Sequence, residues 1–216
     1  MKRRILVTGS RGIVGNILCN QLRNEYEVIS LDLPECDLRA SDNLDKQMHG
    51  VDTVIHLAWN TETDNARSGV VDTENSRMFL NVYRNALAFN VRRIIMASSV
   101  HVHSFADSAA PISPNAAVTP NNLYGAHKLF MEAAGRYYAT QGLEVVCLRL
   151  GGVTPDDSLI PSEETRYLSH RDLGSLVKTC IEVDSVPGNF TVLWATSHAG
   201  AQHYDLDSPF GWRPQD

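Results

Sequence analysis

A strand that runs into a helix through three spaced glycines constrains this chain more than any other feature. Lys2 to Thr8 reads K-R-R-I-L-V-T, a basic start followed by apolar and β-branched residues suited to a buried parallel strand. Gly9, Gly12 and Gly15 follow in T-G-S-R-G-I-V-G. Ile13, Val14, Ile17, Leu18 and Leu22 then recur at helical spacing. Gly9 allows a tight turn, Gly12 close approach of a pyrophosphate, and Gly15 close contact between helix and strand. Free N–H groups at the helix start then face the phosphates. The spacing is G-x-x-G-x-x-G rather than the commoner G-x-G-x-x-G, so the turn needs support from elsewhere.

Support comes from the second strand, Tyr26 to Leu31, which ends at Asp32. An acidic residue about 20 positions after the glycines is where a ribose 2′-hydroxyl is held. Asp32 and nearby Glu35 repel a 2′-phosphate, which favours NAD over NADP. Arg11, inside the turn, is the residue that argues for the phosphate. Asp37-Leu38 falls in a loop suited to covering an adenine.

Strand and helix patterns then alternate. Val51–Ala58 reads as a strand, Thr73–Asn90 as a helix and Arg93–Ser98 as a strand. A proline-broken loop ends at Asn121-Asn122, a plausible helix cap, before a helix over Leu123–Gln141 that stops at Gly142; Val145–Leu150 is a further strand. The pattern predicts an α/β chain with a Rossmann-type, doubly wound parallel sheet. A dinucleotide domain over 1–150 and a short C-terminal substrate-binding appendage over 151–216 are expected. The chain has 216 residues, 43% hydrophobic and 20% charged, with net charge −6, which argues against nucleic acid as a partner. No apolar run approaches a membrane span, and Ile5 to Val7 is too short for a signal-peptide core. Four scattered cysteines without a C-x-x-C pair point to the cytoplasm. His101-x-His103 lacks a suitably spaced third ligand, so no metal is expected.

Tyr124 and Lys128 lie one helical turn apart and project from one face. A free tyrosine, with pKa about 10, is a poor base at neutral pH. One cation near 4 Å at an effective dielectric of about 20 supplies roughly the 4 kcal/mol needed to bring it to about 7. Lys128 offers that cation, and Ser99, at a strand end, can fix the reacting oxygen. A Y-x-x-x-K pair alone is common on helix surfaces. Behind a glycine turn and a strand-end serine it points to a nicotinamide-dependent oxidoreductase.

T-G-S-R-G-I-V-G, Asp32, Asp37-Leu38, His56-Leu57-Ala58, Ser98-Ser99 and Tyr124-Gly125-Ala126-His127-Lys128 together resemble the extended short-chain dehydrogenase/reductase superfamily. S-S-V-H, L-Y-G-A-H-K, R-L-G-G-V-T-P, L-S-H-R-D-L and F-G-W-R-P extend the resemblance to the uronate dehydrogenases, which oxidise a hexuronic acid at C1 with NAD. The resemblance implies cofactor contacts from Gly9, Arg11, Gly12, Ile13, Gly15, Asp32, Asp37, Leu38, Leu57, Ala58, Tyr124 and Lys128. Asn75 matches an asparagine of the superfamily's proton relay, beside the catalytic Ser99, Tyr124 and Lys128. Ser99, Val100, His101, Gly152 and Arg166 stand at substrate positions. A homodimer is also implied, built on the two long helices, with Phe79, Tyr83, Phe130 and Tyr137 as aromatic anchors.

The departures lie on the substrate side. Val100 replaces an asparagine of the uronate dehydrogenases, Gly152 replaces a serine, and the segment carrying their carboxylate-binding arginine is shortened, with Arg166 the nearest arginine. Three readings follow: an NAD-dependent dehydrogenase of a small sugar acid, a nucleotide-sugar epimerase or dehydratase that retains NAD, and a dinucleotide-binding regulator without turnover. The short remainder after Leu150 leaves little material to enclose a nucleoside diphosphate.

Overall fold

The computed structural model describes residues 2–40, 42–103 and 110–216. The strands are β1 (Arg4–Thr8), β2 (Glu27–Leu31), β3 (Thr53–His56), β4 (Arg93–Ser99), β5 (Glu144–Leu150) and β6 (Phe190–Ala195). They form one sheet in the order β2-β1-β3-β4-β5-β6, and every pairing is parallel. Helices α1 (Ile13–Leu22), α2 (Asp42–Met48), α3 (Thr73–Ala88), α4 (Leu123–Ala139) and α5 (His170–Glu182) complete the chain.

Alternation along the strands feeds two cores. Leu6, Val54, Ile94, Met96 and Val145 face a cluster with Phe79, Val82, Tyr83, Met131 and Tyr138, which belong to α3 and α4. Ile5, Val7, Ile55, Ile95 and Val146 face the other way, onto Leu18, Leu22, Leu173, Leu176 and Val177 of α1 and α5. A sheet buried on both faces needs strands with consecutive apolar residues, as Ile5–Val7 of β1 and Val54–Ile55 of β3 supply. Strand order reverses between β1 and β3, and ligands of such sheets sit at the strand carboxyl ends beside that reversal.

Residues after Leu150 add α5 and β6 to the same layers, and β6 pairs with β5 along its length. Trp194, packed on Tyr204 with ring centroids 4.6 Å apart, and Trp212 are both buried in this C-terminal part. Strand β3 is shorter than the expected Val51–Ala58. The Val51 N–H closes the turn after α2 on the Met48 carbonyl, and the Leu57 and Ala58 N–H groups turn toward Thr8. The expected interface anchors divide. Phe79 and Tyr83 are fully buried against the sheet, stacked on each other at 4.1 Å, and so cannot meet a partner. Phe130 and Tyr137 are exposed. All four cysteines are free and buried. Among the described residues no helix is long and apolar enough to cross a membrane.

Candidate active site

Two adjoining cavities open at the carboxyl ends of the strands. The first, about 790 Å³, is lined by Gly9, Gly12, Ile13, Gly15, Asp32, Asp37, Leu38, Leu57 and Ala58. The glycine turn builds its floor. Gly9 sits at φ +68, and a Cβ there would lie 2.7 Å from the Ala58 nitrogen; a Cβ on Gly15 would lie 2.1 Å from the Gly9 carbonyl oxygen. Only glycine lets α1 start this close to β1 and β3. Among the described residues no side chain caps the Gly12 end of α1, which leaves its first N–H groups for a ligand.

At the far wall, Asp32 accepts hydrogen bonds from the backbone N–H groups of Arg11 (2.7 Å) and Leu33 (2.8 Å), which fix its carboxylate at the end of β2. Arg11 does not line the cavity. Its guanidinium pairs with Glu35 at 2.6 Å and donates to the Leu33 carbonyl, so the one cation that argued for a 2′-phosphate is already neutralised. Asp37 also has a cation, Arg39, whose hydrogen bonds hold its carboxyl down at about 2. These residues fit a dinucleotide with a free ribose hydroxyl.

The second cavity, about 780 Å³, shares Val14, Leu57, Trp59, Thr61 and Gly151 with the first. It brings together Ser99, Val100, His101, Tyr124, Lys128, Gly152 and Arg166, contributed by the end of β4 and the turn after it, by α4 and by the segment after β5. The Asn122 side chain caps α4 by accepting from the Gly125 N–H at 2.8 Å and so sets the first turn that carries Tyr124. Val100 faces the apolar cluster of Val102, Ile112 and Trp194 and offers the cavity no polar group. Gly152 has room for a side chain, since a Cβ there meets nothing nearer than Glu163 Oε2 at 3.8 Å.

Electrostatics here follow burial. Desolvation raises the Tyr124 phenol, while a hydrogen bond from Ser99 pulls it back down. The expected lowering by Lys128 is not in place, because the Lys128 ammonium is held elsewhere. Its Nζ donates to the Ala97 carbonyl at 3.0 Å and stands 3.5 Å over the Trp59 ring, against 5.7 Å to the Tyr124 ring. Burial brings Lys128 down to about 7, with Asp64 opposing. His101 is lowered by burial and by Arg166, which favours a neutral imidazole, and its ring meets Tyr124 edge-on at 5.9 Å.

Asn75 lines neither cavity. Fully buried, it accepts from the Asn60 N–H at 2.7 Å and donates to Asp64 at 3.3 Å. Behind it lies a network that sequence reasoning missed. Buried Asp64 is 2.6 Å from His127 Nδ1, and His127 Nε2 is 2.6 Å from the Ser76 hydroxyl. Trp59, Asn65 and Arg67 were also missed. The available signal was their place directly after β3, where a strand's carboxyl end meets ligand.

The family model for the NAD dependent epimerase/dehydratase family matches residues 5–154. The chain belongs to that family. It is 34% identical over 177 residues, 72% of this chain and 69% of the relative, to the L-arabinose 1-dehydrogenase (NAD(P)(+)) of Haloferax volcanii. It is 25% identical to a uronate dehydrogenase of Agrobacterium fabrum, across 99% of this chain and 85% of that one. The crystal structure of a mutant uronate dehydrogenase from Agrobacterium tumefaciens complexed with NAD superposes with a TM-score of 0.84 at 25% identity, covering 99% and 85% of the two chains. NAD is thus the cofactor of the family to which the chain belongs.

Proposed function

We propose that this chain is an NAD-dependent dehydrogenase that oxidises a hydroxyl of a small sugar acid, with Tyr124 as the base. The observation that carries this reading is the meeting of Ser99, Tyr124 and Lys128 in one cavity that shares a wall with the dinucleotide cavity. The names of the two dehydrogenase relatives support the reaction class.

Gly9, Gly12, Gly15 and the uncapped start of α1 hold the pyrophosphate of NAD, and Asp32 holds the adenine ribose. When bound, NAD supplies the hydride acceptor and a positively charged nicotinamide ring. Tyr124 takes the proton of the substrate hydroxyl through its phenolate oxygen. Ser99 positions the reacting oxygen through its hydroxyl and favours the phenolate by its hydrogen bond, and Lys128, one turn along α4, would hold the ribose next to the nicotinamide. A buried phenol ionises reluctantly, so activity falls as pH drops through the Tyr124 pKa and the base becomes protonated. The exposed Phe130 and Tyr137 on α4 support a homodimer through that helix.

The test is NADH formation, followed by absorbance with a panel of sugar acids. Tyr124→Phe is expected to lower kcat by at least a hundredfold while NAD affinity stays within twofold, because only the proton acceptor is removed. Near-parental turnover would remove Tyr124 from the mechanism.

A further inference from the structure

The segment between β3 and α3 is long for a β–α connection, yet it is pinned at its middle. Asp64, completely buried, accepts from the Asp72 N–H at 3.1 Å and from the Asn75 amide at 3.3 Å. It also bonds His127 on α4, the residue before Lys128. The Trp59 indole N–H donates to the Asp64 carbonyl at 2.9 Å. This anchor ties the loop to the helix that carries the base. It also puts Asn65 and Arg67 on the wall of the Ser99–Tyr124 cavity.

Arg67 is set further by its own N–H, which donates to the Asn65 side chain at 2.9 Å. Its guanidinium makes no hydrogen bond or ion pair among the described residues, unlike Arg11, Arg39 and Arg149, each tied to an acid. An arginine held at a cavity wall without an acid partner is suited to an anionic ligand. Arg166 lines the same cavity. The two come from the segments after β3 and β5, the strands on either side of β4 and its Ser99. Glu163 is the carboxylate on this wall, and Lys128, brought down to about 7, adds only a partial charge at neutral pH, so the two arginines and Glu163 leave close to one net positive charge. That balance suits a single carboxylate better than a phosphate dianion.

We propose that Arg67 is a specificity-determining residue that binds the carboxylate of the substrate. This rests on the dehydrogenase reading only in taking the ligand to be the molecule whose hydroxyl meets Tyr124. Arg67 and Arg166 bring charge to a cavity in which Val100 and Gly152 offer no polar side chain.

The test measures binding to NAD-saturated Tyr124→Phe protein by calorimetry, with D-glucuronate and D-galacturonate set against D-glucose, D-galactose and D-glucose 6-phosphate. At least one acid is expected to bind about ten- to a hundredfold more tightly than its neutral counterpart, the range of one charge-assisted contact. Arg67→Gln should erase that preference and Arg67→Lys should keep part of it. The site is exposed, so both variants should melt with the parent. A preference that survives Arg67→Gln, no preference at all, or tighter binding of the 6-phosphate than of either acid would overturn the assignment. NADH formation by the parent is read separately. Charge-selective binding without turnover defeats the dehydrogenase reading and keeps Arg67. Equal turnover of acids and neutral aldoses keeps the dehydrogenase and defeats Arg67.

Discussion

Replacing Lys128 with methionine should make the cofactor-free protein more stable, and by an amount that shrinks as pH rises. Lys128 is 5% exposed and titrates at about 7, down from 10.5, because burial penalises its charge. At about 1.36 kcal/mol for each pH unit between those values, the buried ammonium costs the fold roughly 4 to 5 kcal/mol at and below pH 7. Between 7 and 10.5 the unfolded chain holds the proton that the folded chain has shed, so parental stability climbs with pH in that window. Methionine fills a similar volume without the charge. It forfeits the bond to the Ala97 carbonyl and the contact over Trp59, together about 1 to 2 kcal/mol. Lys128→Met should therefore gain about 2 to 4 kcal/mol at pH 7, and the gain should fall by about 2 kcal/mol at pH 9. Urea unfolding of both proteins without NAD at the two pH values measures it. A variant no more stable than the parent at pH 7, with parallel pH curves, would refute the reasoning. The same variant should bind NAD more weakly, the trade between stability and function expected of a strained site.

Two further outcomes follow from the geometry. Asp32→Ala removes the carboxylate that disfavours a 2′-phosphate and should narrow the preference for NAD over NADP by about tenfold, read as the ratio of their KM values; an unchanged ratio would take Asp32 out of cofactor selection. Light scattering at micromolar concentration should give the mass of a dimer, and a monomer there would end the proposal for α4.

Local chemistry was legible in the sequence and long-range contact was not. The glycine turn could be read because each glycine answers a demand within a few residues: φ at Gly9 and the approach of Gly15 to Gly9. The Asn122 cap and the Tyr124–Lys128 spacing are equally local. Helix α5 went unassigned although Leu173, Leu176, Val177, Cys180 and Ile181 recur at helical spacing behind the Ser169 cap, whose hydroxyl accepts from the Asp172 N–H. Strand β6 was missed as well. F-T-V-L-W-A is a short apolar run, and periodicity alone cannot tell such a run from a helical segment. Phe79 and Tyr83 were placed outward because α3 carries aromatic side chains without showing which face meets the sheet.

The polar interior behind the site was the least legible part, and it explains the arrangement of the rest. Asp64 and His127 stand 63 positions apart, and Asp64 belongs to no motif. Successive residues of α4 divide the work: Lys128 and Tyr124 face the cavity, while His127 turns to the buried carboxylate. Because the Asp64 carbonyl also holds the Trp59 indole, and the Lys128 ammonium rests on that ring, the loop and the helix place the lysine jointly. A buried carboxylate that stays bonded on one oxygen only is expensive to keep; Asp64 Oδ1 has no partner among the described residues. Its position between the Arg67 loop and the Lys128 helix is the physical reason that Arg67 and Tyr124 can hold one geometry.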